Sequence, residues 1–368
     1  MLGSNSLSVT SGGIAVKRAA WSVRFVSLIA ATACTAKDDP LPTPTDAACA
    51  DTTPLVSGTY TFDDQGATRT YRVFAPDAAA GDAPAPLIFA FHGWGGDEDE
   101  FLDAAVVATE AAARGYVVVA PLGLGPGEPD RSYASWSFRG SSTGVDPSGA
   151  PICDEAETPD YRYPSCTTGD PPTAQSTCAW THCQADDGAF VDALLADLQT
   201  RTCIDPDRIY ATGGSNGGMF VWDLGQRDAG RRVFAAIAPL IGLPHAGYLD
   251  ANAELPVLLL TGTRDRTVPP GEWEDATPTV TTDGDAYFYT GATAITRAWA
   301  DARGCDTAVP AAPYDDGVAE ADCRTYCSAD SGWPGVLDCR ADMGHTYSLT
   351  WAWPLILDFF DAHPRRAP

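Results

Sequence analysis

The chain has 368 residues, 45% of them apolar and 20% charged, and its 49 acidic residues against 23 basic ones give a net charge of −26. That composition supports a buried core in one large domain or two small ones. The excess of carboxylates repels nucleic acid and anionic lipid surfaces, so neither is expected as a partner. Lysine occurs only at Lys17 and Lys37, which excludes a P-loop, a Schiff-base site and a Ser–Lys dyad beyond them.

Residues 1–33 read as an export signal. Lys17, Arg18 and Arg24 precede an apolar run at 25–33, which is too short to span a bilayer as a helix. The run ends Ala31-Thr32-Ala33-Cys34 and resembles a bacterial lipoprotein box, whose cysteine is lipidated after cleavage. An ordinary secretory signal with a free Cys34 is the alternative. Either way the protein is expected outside the cytoplasm, secreted or lipid-anchored at the cell envelope, with a lipid anchor as its one route to a membrane. Setting Cys34 aside leaves ten of the 11 cysteines, an even number that predicts a disulfide framework in an oxidising compartment. Zinc on Cys323/Cys327 or Cys178/Cys183 is the weaker alternative, because the spacings do not form paired knuckles.

Residues 34–58 are rich in Thr and Pro without an apolar period and predict an extended tether. A single domain is expected over 59–368. Strands are predicted at 70–74, 86–91, 116–120, 208–212, 234–239, 256–261 and 336–341, several of them continuous apolar runs suited to a parallel sheet buried on both faces. Helices are predicted at 98–114, 187–200, 216–227, 292–303 and 350–362. This alternation predicts an α/β fold with a mostly parallel sheet and helices on both faces. Residues 122–186 break the rhythm: they are dense in Gly, Pro, Ser, Asp and Cys, which predicts a disulfide-stapled loop insertion.

Gly213-Gly214-Ser215-Asn216-Gly217 is a G-x-S-x-G motif between a predicted strand and a predicted helix. That context makes it a nucleophile elbow, in which small neighbours let the serine project above the sheet. A serine hydroxyl needs a base. Of five histidines, His345 follows the last predicted strand, at the sheet edge where active-site loops gather. Asp265, just past the strand at 256–261, is the acid that would fix the imidazole. Oxyanion donors are expected from the N–H of Asn216 and, in the glycine-rich stretch 93–96, from that of Trp94.

At these residues the chain resembles the carbohydrate-esterase and polyhydroxybutyrate-depolymerase group, which includes secreted feruloyl and acetylxylan esterases. The likeness is carried by His92-Gly-Trp-Gly-Gly, the Ala-Thr-Gly-x-Ser-Asn-Gly-Gly-Met elbow, Gly-Thr-x-Asp-x-x-Val-Pro and Gly-His-Thr, in that order from about residue 70 to the end. It implies an α/β-hydrolase fold and an acyl-enzyme mechanism on ester substrates, with no cofactor, no metal and no obligate protein partner. Ser215, Asp265 and His345 would be catalytic. Tyr347 stands where tryptophan is common in the group. His92, Trp136, Trp180, Trp273 and Tyr347 are the expected substrate contacts, with Tyr133, Tyr161 and Tyr163 as further aromatics of the insertion. A feruloyl ester of plant polysaccharide is the expected substrate, with polyhydroxybutyrate or acetylxylan as alternatives. A catalytically dead binding module is the distant one.

Overall fold

Six parallel strands form the centre of a ten-stranded sheet whose order is β1-β2-β4-β3-β5-β6-β7-β12-β11-β10. The computed structural model describes residues 55–76, 83–100, 105–125, 133–167, 176–327, 332–347 and 349–365. The predicted signal, Cys34 and nearly all of the predicted tether lie outside the described residues. In chain order the central strands are β3 (Ala85–Phe91), β4 (Val117–Pro121), β5 (Ile204–Gly214), β6 (Ala236–Leu240), β7 (Val257–Gly262) and β12 (Val336–Ala341). Every residue of β3, β4, β6, β7 and β12 is buried, as strands covered on both faces must be.

Alternate residues feed two cores. Leu87, Phe89 and Phe91 enter one layer, with α2 (Asp187–Arg201), α3 (Asn216–Arg227) and α4 (Ala292–Ala302). Ile88 and Ala90 enter the other, with α5 (Ala352–Ala362) and Ala111 of α1 (Ala105–Ala113). Residues 98–100 of the 98–114 pattern form turns, and helix is described over Ala105–Ala113.

The antiparallel strands flanking this centre were not all expected. β1 (Gly58–Asp64) pairs with β2 (Ala67–Phe74) through a two-residue turn at Gln65 and Gly66, both at positive φ, the twist-matched hairpin geometry. β1 alternates between half-buried and exposed residues, so its apolar signal is weak. At the far edge β11 (Ala321–Thr325) and the three-residue β10 (Ala312–Tyr314) extend the sheet from β12. A small hairpin, β8 (Thr279–Val280) with β9 (Phe288–Tyr289), stands apart.

Among the described residues the insertion contributes no strand to the sheet. Cys153–Cys178 and Cys166–Cys183 staple it. A buried charge cluster fastens it from below: Arg69 lies 2.9 Å from Asp187, which also meets His182 Nε2 at 2.8 Å and accepts the Ser137 N–H at 2.7 Å. Burial alone would push the Asp187 carboxyl up, but His182 and Arg69 together hold it below the usual carboxylate range. Cys305–Cys327 and Cys323–Cys339 fasten the β10–β12 edge, and Cys203 is also disulfide-bonded. This pairing consumes the cysteines of the zinc alternative, and it is typical of an extracellular protein. Among the described residues no helix is long and apolar enough to cross a membrane.

Candidate active site

Ser215 occupies the turn between β5 and α3 at φ 54°, ψ −117°, a conformation that a non-glycine residue holds only under strain. Its N–H is anchored to Leu240 O at 2.9 Å. The turn closes this tightly because its neighbours lack side chains. A Cβ on Gly213 would lie 2.7 Å from Gly217 O and 2.8 Å from Phe91 O, and one on Gly217 would collide with Phe91 O.

The elbow brings three distant positions together. Ser215 Oγ is 2.8 Å from His345 Nε2, and His345 Nδ1 is 2.8 Å from Asp265 Oδ2. Asp265 is buried, and its Oδ1 accepts the N–H groups of Thr267 and Val268, each at 2.9 Å. The carboxylate is thus fixed from both sides and can orient the imidazole so that Nε2 receives the Oγ proton.

Donors for a developing oxyanion are limited by what the backbone has already committed. The N–H of Gly93 donates to the Tyr347 hydroxyl at 2.9 Å, that of Gly95 to Ala134 O at 2.8 Å, and that of Gly96 to Gly93 O at 3.0 Å. Among the described residues, the Trp94 N–H is the one in this stretch without an acceptor. The Asn216 N–H, in the first turn of α3, is likewise free, as expected of a helix N-terminus.

A cavity of about 240 Å³ opens beside Ser215 and His345. Trp94, Tyr161, Trp180, Tyr287 and Tyr289 line it with Met219, Thr267, Val268 and Asp285. The Tyr161 hydroxyl donates to Asp285 at 3.0 Å, and Trp180 Nε1 donates to His245 Nε2 at 3.0 Å. Burial lowers the His245 pKa to about 4, which keeps that acceptor neutral.

Of the five expected substrate contacts only Trp180 lines this cavity. Trp136 is a core residue: its ring stacks on Phe220 with centroids 5.4 Å apart, and its indole N–H donates to His92 O at 3.1 Å. Trp273 is sandwiched between guanidinium groups, 3.7 Å from Arg340 and 4.1 Å from Arg324, where cation–π attraction holds it. His92 is buried and shapes the loop, with Nδ1–H donating to Gly93 O at 2.6 Å and Nε2 accepting from Gly123 N–H at 2.9 Å. Burial pushes its pKa down to about 4. Tyr347 turns its hydroxyl away from the cavity, toward Gly93. Tyr287, Tyr289, Asp285, Met219 and Val268 line the cavity but were not expected there. The Tyr287-Phe-Tyr289 alternation, which puts two rings on one face of a strand, was the available signal.

No protein-family model and no curated protein sequence matches the chain. Among solved structures it is similar to an acetyl xylan esterase from Aspergillus awamori. The TM-score is 0.51 at 13% identity, over 83% of this chain and 99% of that one. It is also similar to an S-formylglutathione hydrolase from Agrobacterium tumefaciens (TM-score 0.46, 12% identity, 84% and 96% covered). With the sheet order and the strand–Ser215–helix turn, the first of these likenesses makes the fold that of the α/β-hydrolases.

Proposed function

We propose that the chain is a serine carboxylic-ester hydrolase working through an acyl-enzyme. One observation carries this reading: the unbroken hydrogen-bonded run Ser215–His345–Asp265 on a strained elbow, facing an aromatic cavity. Ser215 Oγ attacks the ester carbonyl as its proton passes to His345 Nε2. The carbonyl oxygen, now negative, is held by the N–H groups of Trp94 and Asn216. Collapse expels the alcohol, which takes the proton from His345, and water repeats the cycle to release the acid. These steps need no metal or cofactor.

The acyl group is proposed to be feruloyl or a related aromatic acid esterified to plant polysaccharide. Five aromatic side chains around the cavity favour a flat ring, which gains from offset or edge contacts that an aliphatic polyester lacks. Asp285 could also accept a hydrogen bond from a phenolic hydroxyl. The protein is further proposed to be exported and held at the envelope by lipid on Cys34. The test is a panel of methyl ferulate, a 3-hydroxybutyrate trimer and p-nitrophenyl acetate, with Ser215→Ala as the control. Activity surviving in Ser215→Ala overturns the mechanism. A higher kcat/KM on the trimer overturns the acyl assignment and leaves a polyester depolymerase. Hydrolysis of acetyl esters alone leaves an acetylxylan-type esterase.

A further inference from the structure

Four chain segments build the candidate site, and one side chain links three of them: the His345 loop, the Ser215 elbow and the 93–96 loop. Tyr347 lies two residues beyond His345. Its ring covers Gly214, so closely that a Cβ there would collide with ring atoms Cγ, Cδ1 and Cδ2. Its hydroxyl accepts the Gly93 N–H at 2.9 Å and faces the Glu100 carboxylate, whose Oε2 lies 3.4 Å from the same N–H. A phenol has a single proton; with the Gly93 N–H donating to the oxygen, that proton is left for the facing Glu100 carboxylate. The glycines of the 93–96 stretch make room for this pair. A Cβ on Gly93 would lie 2.5 Å from the Tyr347 hydroxyl, and one on Gly96 would collide with Glu100 Oε2.

From this geometry we propose that Tyr347, supported by Glu100, is the positioning residue that fixes the Trp94 N–H as oxyanion donor. By holding the Gly93 N–H it fixes the His92–Gly93 peptide, one step before the Gly93–Trp94 peptide that carries the donor and whose carbonyl is held by His92 Nδ1 and the Gly96 N–H. By spanning from the His345 loop to the 93–96 loop it ties the donor to the base. Tryptophan at this position could not do the same, because its indole N–H donates and cannot accept from Gly93. The inference rests on the esterase reading above and deepens it.

The test uses Tyr347→Phe, which keeps the ring over Gly214 and removes only the hydroxyl. Active sites are counted by phosphonate labelling of Ser215, so that misfolded protein does not enter kcat. Deleting an oxyanion donor costs about 10²–10³ in kcat; loosening one should cost roughly tenfold. The expected result on p-nitrophenyl acetate is that loss in kcat with KM unchanged. Butylboronic acid, which mimics the tetrahedral oxyanion, should bind more weakly by a similar factor. Glu100→Ala should repeat the loss, and Glu100→Gln, which keeps an acceptor for the phenol, should restore most of it. An unchanged kcat, a change confined to KM, or unaltered boronate affinity overturns the proposal. If Tyr347→Phe does not fold, equal kcat in the two Glu100 variants overturns it. Failure of the esterase reading looks different, since Ser215 would then take no phosphonate label in the unaltered protein.

Discussion

Asn216 and Trp136 exchange two hydrogen bonds: the Trp136 N–H donates to Asn216 Oδ1 at 2.7 Å, and Asn216 Nδ2 donates to Trp136 O at 3.0 Å. The residue after the nucleophile is therefore bolted to the insertion by its side chain while its backbone N–H stays free. Asn216→Ala leaves two buried backbone groups of Trp136 unpaired, at about 1–3 kcal/mol for each. Chemical denaturation should register that loss. The kcat of Asn216→Ala should fall too, although the backbone donor is retained; full activity in a destabilised variant would separate the two roles.

Ser215→Ala should abolish acyl-enzyme formation and lower kcat by several orders of magnitude without unfolding the protein. Asp265→Asn should cost about 10⁴-fold, since an amide in that place favours the wrong imidazole tautomer. Covalent phosphonate should map by mass spectrometry to Ser215, and a label on another serine would remove the assignment.

Trp180→Ala and Tyr287→Ala act on the cavity wall. Each should lower kcat/KM on methyl ferulate by about 0.5–1.5 kcal/mol for the lost ring pairing, and by more for lost burial. p-Nitrophenyl acetate should be nearly spared. Equal losses on both esters would mean that the aromatics support the site rather than select the acyl group.

Acid should destabilise the fold between about pH 6.5 and pH 4. Burial holds His92 and His245 at about 4, so over that window the unfolded chain binds protons that the folded one refuses, and stability falls as pH falls. Each histidine contributes on the order of 3 kcal/mol of this loss. Asp228 works the other way: burial raises it to about 6, so the folded state takes up its proton first and regains on the order of 3 kcal/mol. For these three groups the balance is a loss, whose expected sign is a Tm that declines from pH 6.5 to pH 4. A flat Tm would contradict it.

All nine cysteines among the described residues are disulfide-bonded, and a thiol assay on denatured, unreduced Cys34→Ala protein should find none free. Two or more reactive thiols would break the framework. The same substitution should move the protein from the membrane fraction to the soluble one.

How much of this was legible in the sequence depended on what each residue's neighbours fix. The parallel strands announced themselves because burial on both faces leaves an uninterrupted apolar run, as in Leu258-Leu-Leu. Ser215, Asp265 and His345 could be named because each sits at a strand end whose order along the chain is itself a signal. Trp136 and Trp273 were misplaced for a common reason: composition reveals that an aromatic is present in a loop but not which way it faces. The Trp136 ring went inward onto Phe220, and Trp273 went between two arginines. The cavity wall at Tyr287 and Tyr289 had only the bare Tyr-Phe-Tyr alternation to mark it, because its strand is two residues long, and Tyr347 could be given a role only once its hydroxyl had a partner.

The β10 edge has a consequence for aggregation of a partly opened sheet. Sheets recruit foreign strands through unpaired backbone at their borders. Here the outermost strand is three residues long and carries Pro313, which has no N–H to offer. Cys305–Cys327 and Cys323–Cys339 then keep the strands behind it from peeling away to expose a longer template. On this side the sheet is closed to strand addition, and reduction, more than heat, is the treatment that should reopen it to aggregation.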